Sequence, residues 1–189
     1  NFANLMKKLR DFNSAKKLLL KATEIENNNI DILFNLAECY QSLGELDKAK
    51  EYAYKILNLQ PNHSATHRFI SLIINHKSDK SHLPKIIEIE KNENFKNYSL
   101  NEKTDIYFSL GKAFEDLKDY EKSFNYLEKA NLIINKEINY NPSNHERLIK
   151  SIIKLFNDFD FEKNKKKTTE KQIIFICGMP RSGSTLVEQ

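Results

Sequence analysis

The stretch IDILFNLAECYQSLGELDKAKEYAYKILNLQP, residues 30–61, reads as two helices joined by a tight turn. Leu33, Leu36, Ala37 and Tyr40 share one stripe of the first helix, and Ala49, Ala53 and Ile56 share one stripe of the second. Ala37 and Ala49 are small enough to let the two helices approach closely, while Leu36 and Tyr40 fill the space toward neighbouring units. Gly44 falls in the turn, where a helix C-terminus favours a residue tolerant of positive φ, and Pro61 stops the second helix.

The pattern repeats. Ala15 and Ala49 stand 34 residues apart, as do Ala3 and Ala37, and Ala22 takes the register of Ile56. This period resembles the tetratricopeptide repeat (TPR), a pair of antiparallel helices of 34 residues in total. A second good match runs from Thr104 to Asn135, with Tyr107, Leu110, Gly111 and Phe114 on its first helix and Ser123, Leu127 and Ala130 on its second. Ser123 stands where alanine is usual, a small-for-small exchange. Between them, residues 64–97 form a degenerate unit. Its stripes of Ile70, Leu72, Ile73 and Ile74, then Ile86, Ile87 and Ile89, are helical, but His67, Leu83 and Glu90 miss the consensus. Two helices of the same stack are expected there, with an altered loop from His76 to Pro84.

Residues 1–29 read as a repeat lacking most of its first helix, so the chain is expected to be cut at its N-terminus. Ser99-Leu100-Asn101-Glu102 and Ser143-Asn144-His145-Glu146 both fit a capping box, predicting a helix start at each. The second opens an amphipathic run, Leu148, Ile149, Ile152, Ile153, Phe156 and Phe159, expected to close the end of the stack. A helical stack of this kind presents a groove lined by first-helix residues. Here those are Asp31, Phe34, Glu38 and Gln41, then Asp105, Phe108, Lys112 and Glu115, a surface suited to a protein or peptide partner. Acidic Asp31 and Glu38 argue against a clamp for a C-terminal carboxylate.

The last residues change character. The apolar run Ile173-Ile174-Phe175-Ile176-Cys177 reads as a buried strand that breaks into the loop Gly178-Met179-Pro180-Arg181-Ser182-Gly183-Ser184-Thr185-Leu186. A strand turning through glycines into a helix N-terminus is a phosphate cradle, because free backbone N–H groups and the positive end of the helix dipole point at the anion. The spacing of Gly178, Gly183 and Thr185 fits a Walker A loop, but Ser184 occupies the lysine position. Arg181 offers a planar fork for phosphate or sulfate oxygens, and Ser182, Ser184 and Thr185 add hydroxyl donors. A glycine-rich turn can serve packing alone, yet this order of Pro, Arg, Ser, Gly and Thr behind an apolar strand fits anion binding better.

Residues 178–189 resemble the 5′-phosphosulfate-binding loop of sulfotransferases, with the family pattern G-x-P-R-S-G-[TS]-T-L unbroken from Gly178 to Leu186. The nearest resemblance is to the bacterial TPR-containing sulfotransferases related to protein-tyrosine sulfotransferases. The segment Tyr107–Leu117 is similar to the last TPR of the same family. The resemblance implies a mainly α chain: a TPR solenoid over 1–161, a charged linker over 162–171, and over 172–189 the first strand–loop–helix of a truncated α/β P-loop sulfotransferase domain. It further implies that Arg181, Ser182, Gly183, Ser184 and Thr185 bind 3′-phosphoadenylyl sulfate (PAPS), from which a sulfuryl group passes to an acceptor hydroxyl, possibly of protein tyrosine. Arg181 would steady charge on the bridging oxygen, without a metal. The catalytic base and the 3′-phosphate contacts are expected beyond Gln189, so this portion alone is expected to be inactive. Glu188, one helical turn past the loop, is not assigned as the base. The alternative is a TPR interaction scaffold without catalysis, and a nucleotide kinase or triphosphatase is disfavoured by Ser184.

Composition agrees. Only 4 glycines and 4 prolines against 30% charged residues suit packed helices rather than a β-sandwich. A net charge of +4, dispersed along the chain, gives no case for nucleic acid. The basic run over 162–171 reads as a solvated linker. Cys39 and Cys177 lack partners at metal spacing and read as reduced core residues. His63 and His67 form an H-x-x-x-H pair without a third ligand or a following glutamate, so no metal is expected. No run reaches the ~18 apolar residues of a membrane span. No signal peptide is apparent, and the expected location is the cytoplasm.

Overall fold

Asn29 and Gly44 bracket the helix that organises the rest. The Asn29 side chain accepts from the Ile32 N–H at 3.2 Å and starts α3, Ile30–Ser42. Gly44 then adopts φ 77° and lets the Glu45 N–H reach back to the Tyr40 carbonyl at 2.9 Å, which closes α3 and turns the chain into α4, Leu46–Leu59. The same closure recurs at Arg10, φ 60°, where Asp11 N–H bonds Met6 O at 2.9 Å, and at Lys118, φ 63°, where Asp119 N–H bonds Phe114 O at 2.9 Å. Sequence reading identified the glycine turn, while the other two put non-glycine residues in the same left-handed conformation.

The computed structural model describes residues 2–138 and 141–157. The first unit, which ends at Tyr140, contains α1 (Phe2–Lys8), α2 (Phe12–Ile25), α3, α4, α5 (Ser64–Ile73), α6 (Leu83–Lys91), a short 3₁₀ turn (Glu93–Asn97), α7 (Leu100–Asp116) and α8 (Tyr120–Ile138). The second unit, described by itself, contains α9 (Pro142–Asn157). Every regular element among the described residues is helical. The linker 162–171, the apolar run 173–177 and the loop carrying Arg181 to Thr185 lie outside the described residues.

Consecutive helices pair as the 34-residue period predicts, α1 with α2, α3 with α4 and α7 with α8, and α2 packs on α3. Ala15, Ala37, Ala49 and Ala53 are fully buried at these crossings, with Leu33, Leu36 and Ile56 between them. Gly111 and Ser123 play the same part for α7 and α8. A Cβ at Gly111 would lie 2.7 Å from Leu127 Cδ2, and the Ser123 hydroxyl donates to the Gly111 carbonyl at 2.8 Å. Cys39 is buried and free, and burial pushes its thiol pKa up.

The degenerate unit departs from the pattern. α6 is short, with nine residues, and packs against α7 and the 3₁₀ turn, while α5 packs against α4 and α7. The core therefore falls into two clusters. One runs from Ala3 to Ile70 across α1–α5, and the other joins Ile86, Ile89, Phe95, Ile106, Leu110 and Ala113. Ser99 and Glu102 form the expected capping box, with Glu102 N–H bonded to Ser99 Oγ at 3.3 Å and Ser99 N–H to Glu102 Oε2 at 2.8 Å. The box expected at Ser143 is displaced. Pro142, whose fixed φ and missing N–H suit a first helical position, opens α9, and Asn141 Oδ1 accepts from the Ser143 N–H at 3.0 Å. α9 carries Leu148, Ile149, Ile152, Ile153 and Phe156 of the amphipathic run and buries none of its side chains, while Phe159 lies outside the described residues.

A left-handed conformation costs a non-glycine residue about 1–2 kcal/mol, and part of that is regained by glycine's greater freedom when unfolded. Lys118→Gly is thus expected to raise stability by about 1 kcal/mol, read as a higher urea midpoint at unchanged slope. An unchanged or lower midpoint would show that the turn carries no strain.

Candidate protein-binding groove

The first helices of successive repeats line one face. α3 presents Phe34, Glu38 and Gln41, α5 presents Ala65, Arg68, Phe69 and Leu72, and α7 adds Asp105 around a cleft of about 270 Å³. Phe34 meets Phe69 edge-on at 5.6 Å between ring centres, giving the cleft an aromatic floor. The Arg68 guanidinium lies 4.2 Å from the centre of the Phe108 ring, and its Nε stands 3.9 Å from Asp105 Oδ1. Ser64 Oγ donates to Asp105 Oδ2 at 3.2 Å, so the carboxylate is anchored from α5.

Polar groups elsewhere on this face are also tied across helices. Lys7 of α1 donates to Asn35 Oδ1 at 2.7 Å and pairs with Glu38. The Asn35 amide donates to the Asp31 carbonyl at 2.7 Å. A second depression near these groups, of about 360 Å³, is lined by Asn4, Lys7, Lys8, Phe12 and Asn35. His63 Nδ1 caps α5 by accepting from the Thr66 N–H at 3.3 Å.

Burial sets the charges. It pushes the Asp105 carboxyl above the ordinary carboxylate value, against the Ser64 hydrogen bond and the Arg68 charge that pull it down. Burial likewise lowers the Arg68 guanidinium, and Asp105 opposes that shift.

Of the residues assigned to the groove from sequence, Phe34, Glu38, Gln41 and Asp105 line the cleft, and Phe108 supports it through Arg68. Asp31 is exposed beside it and contributes its carbonyl to Asn35. Lys112 turns instead to Asp116 one helical turn on, and Glu115 is exposed outside the cleft. Sequence reading missed Arg68, Ala65, Phe69 and Leu72. For three of them the signal was the period itself, since Arg68, Ala65 and Leu72 stand 34 residues after Phe34, Asp31 and Glu38. Arg181, Ser182, Gly183, Ser184 and Thr185 lie outside the described residues.

A larger open cleft of about 910 Å³ lies beside α6, with Leu83, Pro84, Ile87 and Leu117 as apolar walls and Lys80, Glu88 and Lys91 among its polar lining. Volume alone does not make it the better site. The groove brings aromatic, cationic and anionic side chains together from three successive first helices, which is what orients a bound chain. Among the described residues no cluster of His, Cys, Asp and Glu could hold a metal ion, and no helix is long and apolar enough to cross a membrane.

Two family models, each described as tetratricopeptide repeat, match residues 8–73 and 104–136. The chain is 33% identical over 176 residues to an uncharacterized protein of Aquifex aeolicus (strain VF5), covering 93% of this chain and 22% of that protein. It is 28% identical over 157 residues to the BBSome complex member BBS4 of Bos taurus, covering 82% of this chain and 27% of that one. The chain thus spans about a quarter of the length of these relatives. The crystal structure of MamA aligns with a TM-score of 0.36 at 17% identity, over 74% of this chain and 98% of MamA.

Removing Arg68 strips Asp105 of its neighbouring cation. Asp105 is therefore expected to titrate above the ordinary carboxylate value in the native chain and higher still in Arg68→Ala, followed by carboxyl ¹³C NMR. A midpoint that falls in the variant would show that Arg68 does not act on Asp105.

Proposed function

Because this chain belongs to the tetratricopeptide-repeat proteins, we propose that its described part is a protein-interaction scaffold that holds an extended segment of a partner along the α3–α5–α7 face. The observation that carries this reading is the cleft itself. It has an aromatic floor at Phe34 and Phe69, a guanidinium at Arg68 held between Phe108 and Asp105, and polar anchors at Glu38 and Gln41. An apolar side chain of the partner would seat against the rings, and its backbone amides would meet the polar rim. Aromatic and arginine side chains in such a setting carry most of a binding energy.

A second reading rests on the loop Gly178–Leu186 and its resemblance to the sulfotransferase 5′-phosphosulfate loop. In that reading the whole protein moves a sulfuryl group from PAPS to an acceptor hydroxyl. Arg181, Ser182, Gly183, Ser184 and Thr185 hold the 5′-phosphosulfate, and the repeats present the acceptor. Ser184 in place of lysine, with Arg181 earlier in the loop, favours a metal-free anionic group over Mg·ATP.

Peptides selected for binding to the chain from a random display library are expected to lose about tenfold or more in affinity with Phe34→Ala or Arg68→Ala, measured by fluorescence anisotropy with helical circular dichroism unchanged. Selected peptides indifferent to both changes would sink the groove assignment. For the second reading, calorimetry on the whole protein is expected to show 3′-phosphoadenosine 5′-phosphate binding more tightly than Mg·ATP, with Arg181→Ala losing the difference. The reverse order of affinities would rule it out.

A further inference from the structure

The junction between the two apolar clusters is polar, and three histidines run through it. His67 on α5, His82 at the start of α6 and His76 in the loop between are 1%, 0% and 1% exposed. They form a single row. His67 Nε2 lies 2.7 Å from the Pro61 carbonyl, and His67 Nδ1 lies 2.9 Å from His82 Nε2. His82 Nδ1 then lies 3.3 Å from His76 Nε2, and His76 Nδ1 lies 3.1 Å from Asp116 Oδ2. The rings also stack, His67 on His82 at 5.2 Å between centres.

Each of these four contacts needs one hydrogen between its heavy atoms. Both ends of the row, the Pro61 carbonyl and the Asp116 carboxylate, only accept. A neutral imidazole carries one N–H, so three neutral rings supply three hydrogens for four contacts. We infer that the row of His67, His82 and His76 is a buried proton-binding site that holds one proton beyond its three neutral rings, balanced by the Asp116 carboxylate.

The place of that proton follows from the surroundings. The hydrogens of the two middle contacts can sit on either ring, so the charge can in principle occupy any of the three histidines. The Asp116 carboxylate touches His76 alone among them and also accepts from the His76 backbone N–H at 3.0 Å. Burial works against charge on the other two, lowering His67 and bringing His82 down to about 3. Lys85 on α6 opposes charge on both, and His63, which caps α5, opposes it on His67. Asp79 draws charge toward His82 but is itself paired with Lys50 of α4. Lys80 and Glu88 share the open cleft beside His76. Asp116 does not take the proton. Burial pushes its carboxyl up, but the Lys112 ammonium and the two His76 donors outweigh that and hold it below the ordinary carboxylate value. The extra proton therefore rests on His76, making it an imidazolium paired with Asp116.

The row ties α5, the loop after it, the start of α6 and the C-terminal end of α7 into one contact. When the extra proton leaves, His76 Nδ1 and Asp116 Oδ2 face each other as buried acceptors with no hydrogen between them, so stability is lost on the alkaline side. A further proton is also excluded. His67 and His82 are held neutral when folded but titrate near the ordinary value of 6.5 when unfolded, so the stability they confer is present above that value. It is lost as pH falls from there toward about 3. This site stands whether or not the groove binds a partner.

The test is a long-range ¹H–¹⁵N correlation of ring nitrogens in the ¹⁵N-histidine-labelled 189-residue chain at pH 7. The expected spectrum has His76 protonated at both nitrogens and His67 and His82 protonated at Nε2 alone. Three singly protonated rings would overturn the proposal. Asp116→Asn gives an independent check, because it removes the negative charge that balances the imidazolium while its amide oxygen can still accept from the His76 N–H groups. In that variant the extra proton is expected to leave at lower pH, so the alkaline fall of the thermal midpoint begins earlier than in the native chain. A variant whose alkaline profile matches the native one would also overturn it. The native spectrum decides alone if the variant does not fold.

Discussion

The constraint on which this fold depends is the close approach of paired helices at small residues. Ala37 and Ala49 permit it between α3 and α4, and Gly111 and Ser123 permit it between α7 and α8. Where a Cβ at position 111 would strike Leu127, only glycine leaves the second helix its place. The first helices α3, α5 and α7 all contribute side chains to one cleft. The groove is therefore a product of the packing, because Phe34, Arg68 and Asp105 reach one cleft only after their helices have been stacked in order.

The degenerate unit shows what happens when that constraint is relaxed. α6 is too short to cover α5 as α4 covers α3, so α7 packs against α5 and the apolar core divides in two. The division is bridged by polar groups. Buried imidazoles cannot be left unpaired, and the row from Pro61 to Asp116 pairs each of their nitrogens. An apolar contact at this position would be indifferent to pH. A row of histidines is not, since the number of protons it holds decides whether its hydrogen bonds close.

Much of the stack was legible before any coordinates. The 34-residue spacing located the helix pairs, Gly44 its turn, and Ser99 with Glu102 the start of α7. These are local signals, written in residues close in sequence or one period apart. Phe34, Glu38, Gln41 and Asp105 were legible as groove residues for the same reason. Arg68 was overlooked because its own repeat departs from consensus, although the period pointed to it. The turns at Arg10 and Lys118 gave no residue-type signal, because neither is a glycine. At Ser143 the capping pattern competed with Pro142, and the fixed φ of proline prevailed.

The amino-acid sequence by itself determined the helical repeat, its period, the small residues at its crossings and the loop pattern of residues 178–186, because each depends on side-chain type at fixed spacing. Only the tertiary structure decided which distant side chains meet. His67 paired with His63 in the sequence pattern, yet in space it meets His82, 15 residues on, and through it His76 and Asp116. Arg68 likewise finds Phe108 and Asp105 across the α5–α7 contact. These partners follow from how a short α6 lets α7 close on α5, a packing outcome that no local periodicity encodes.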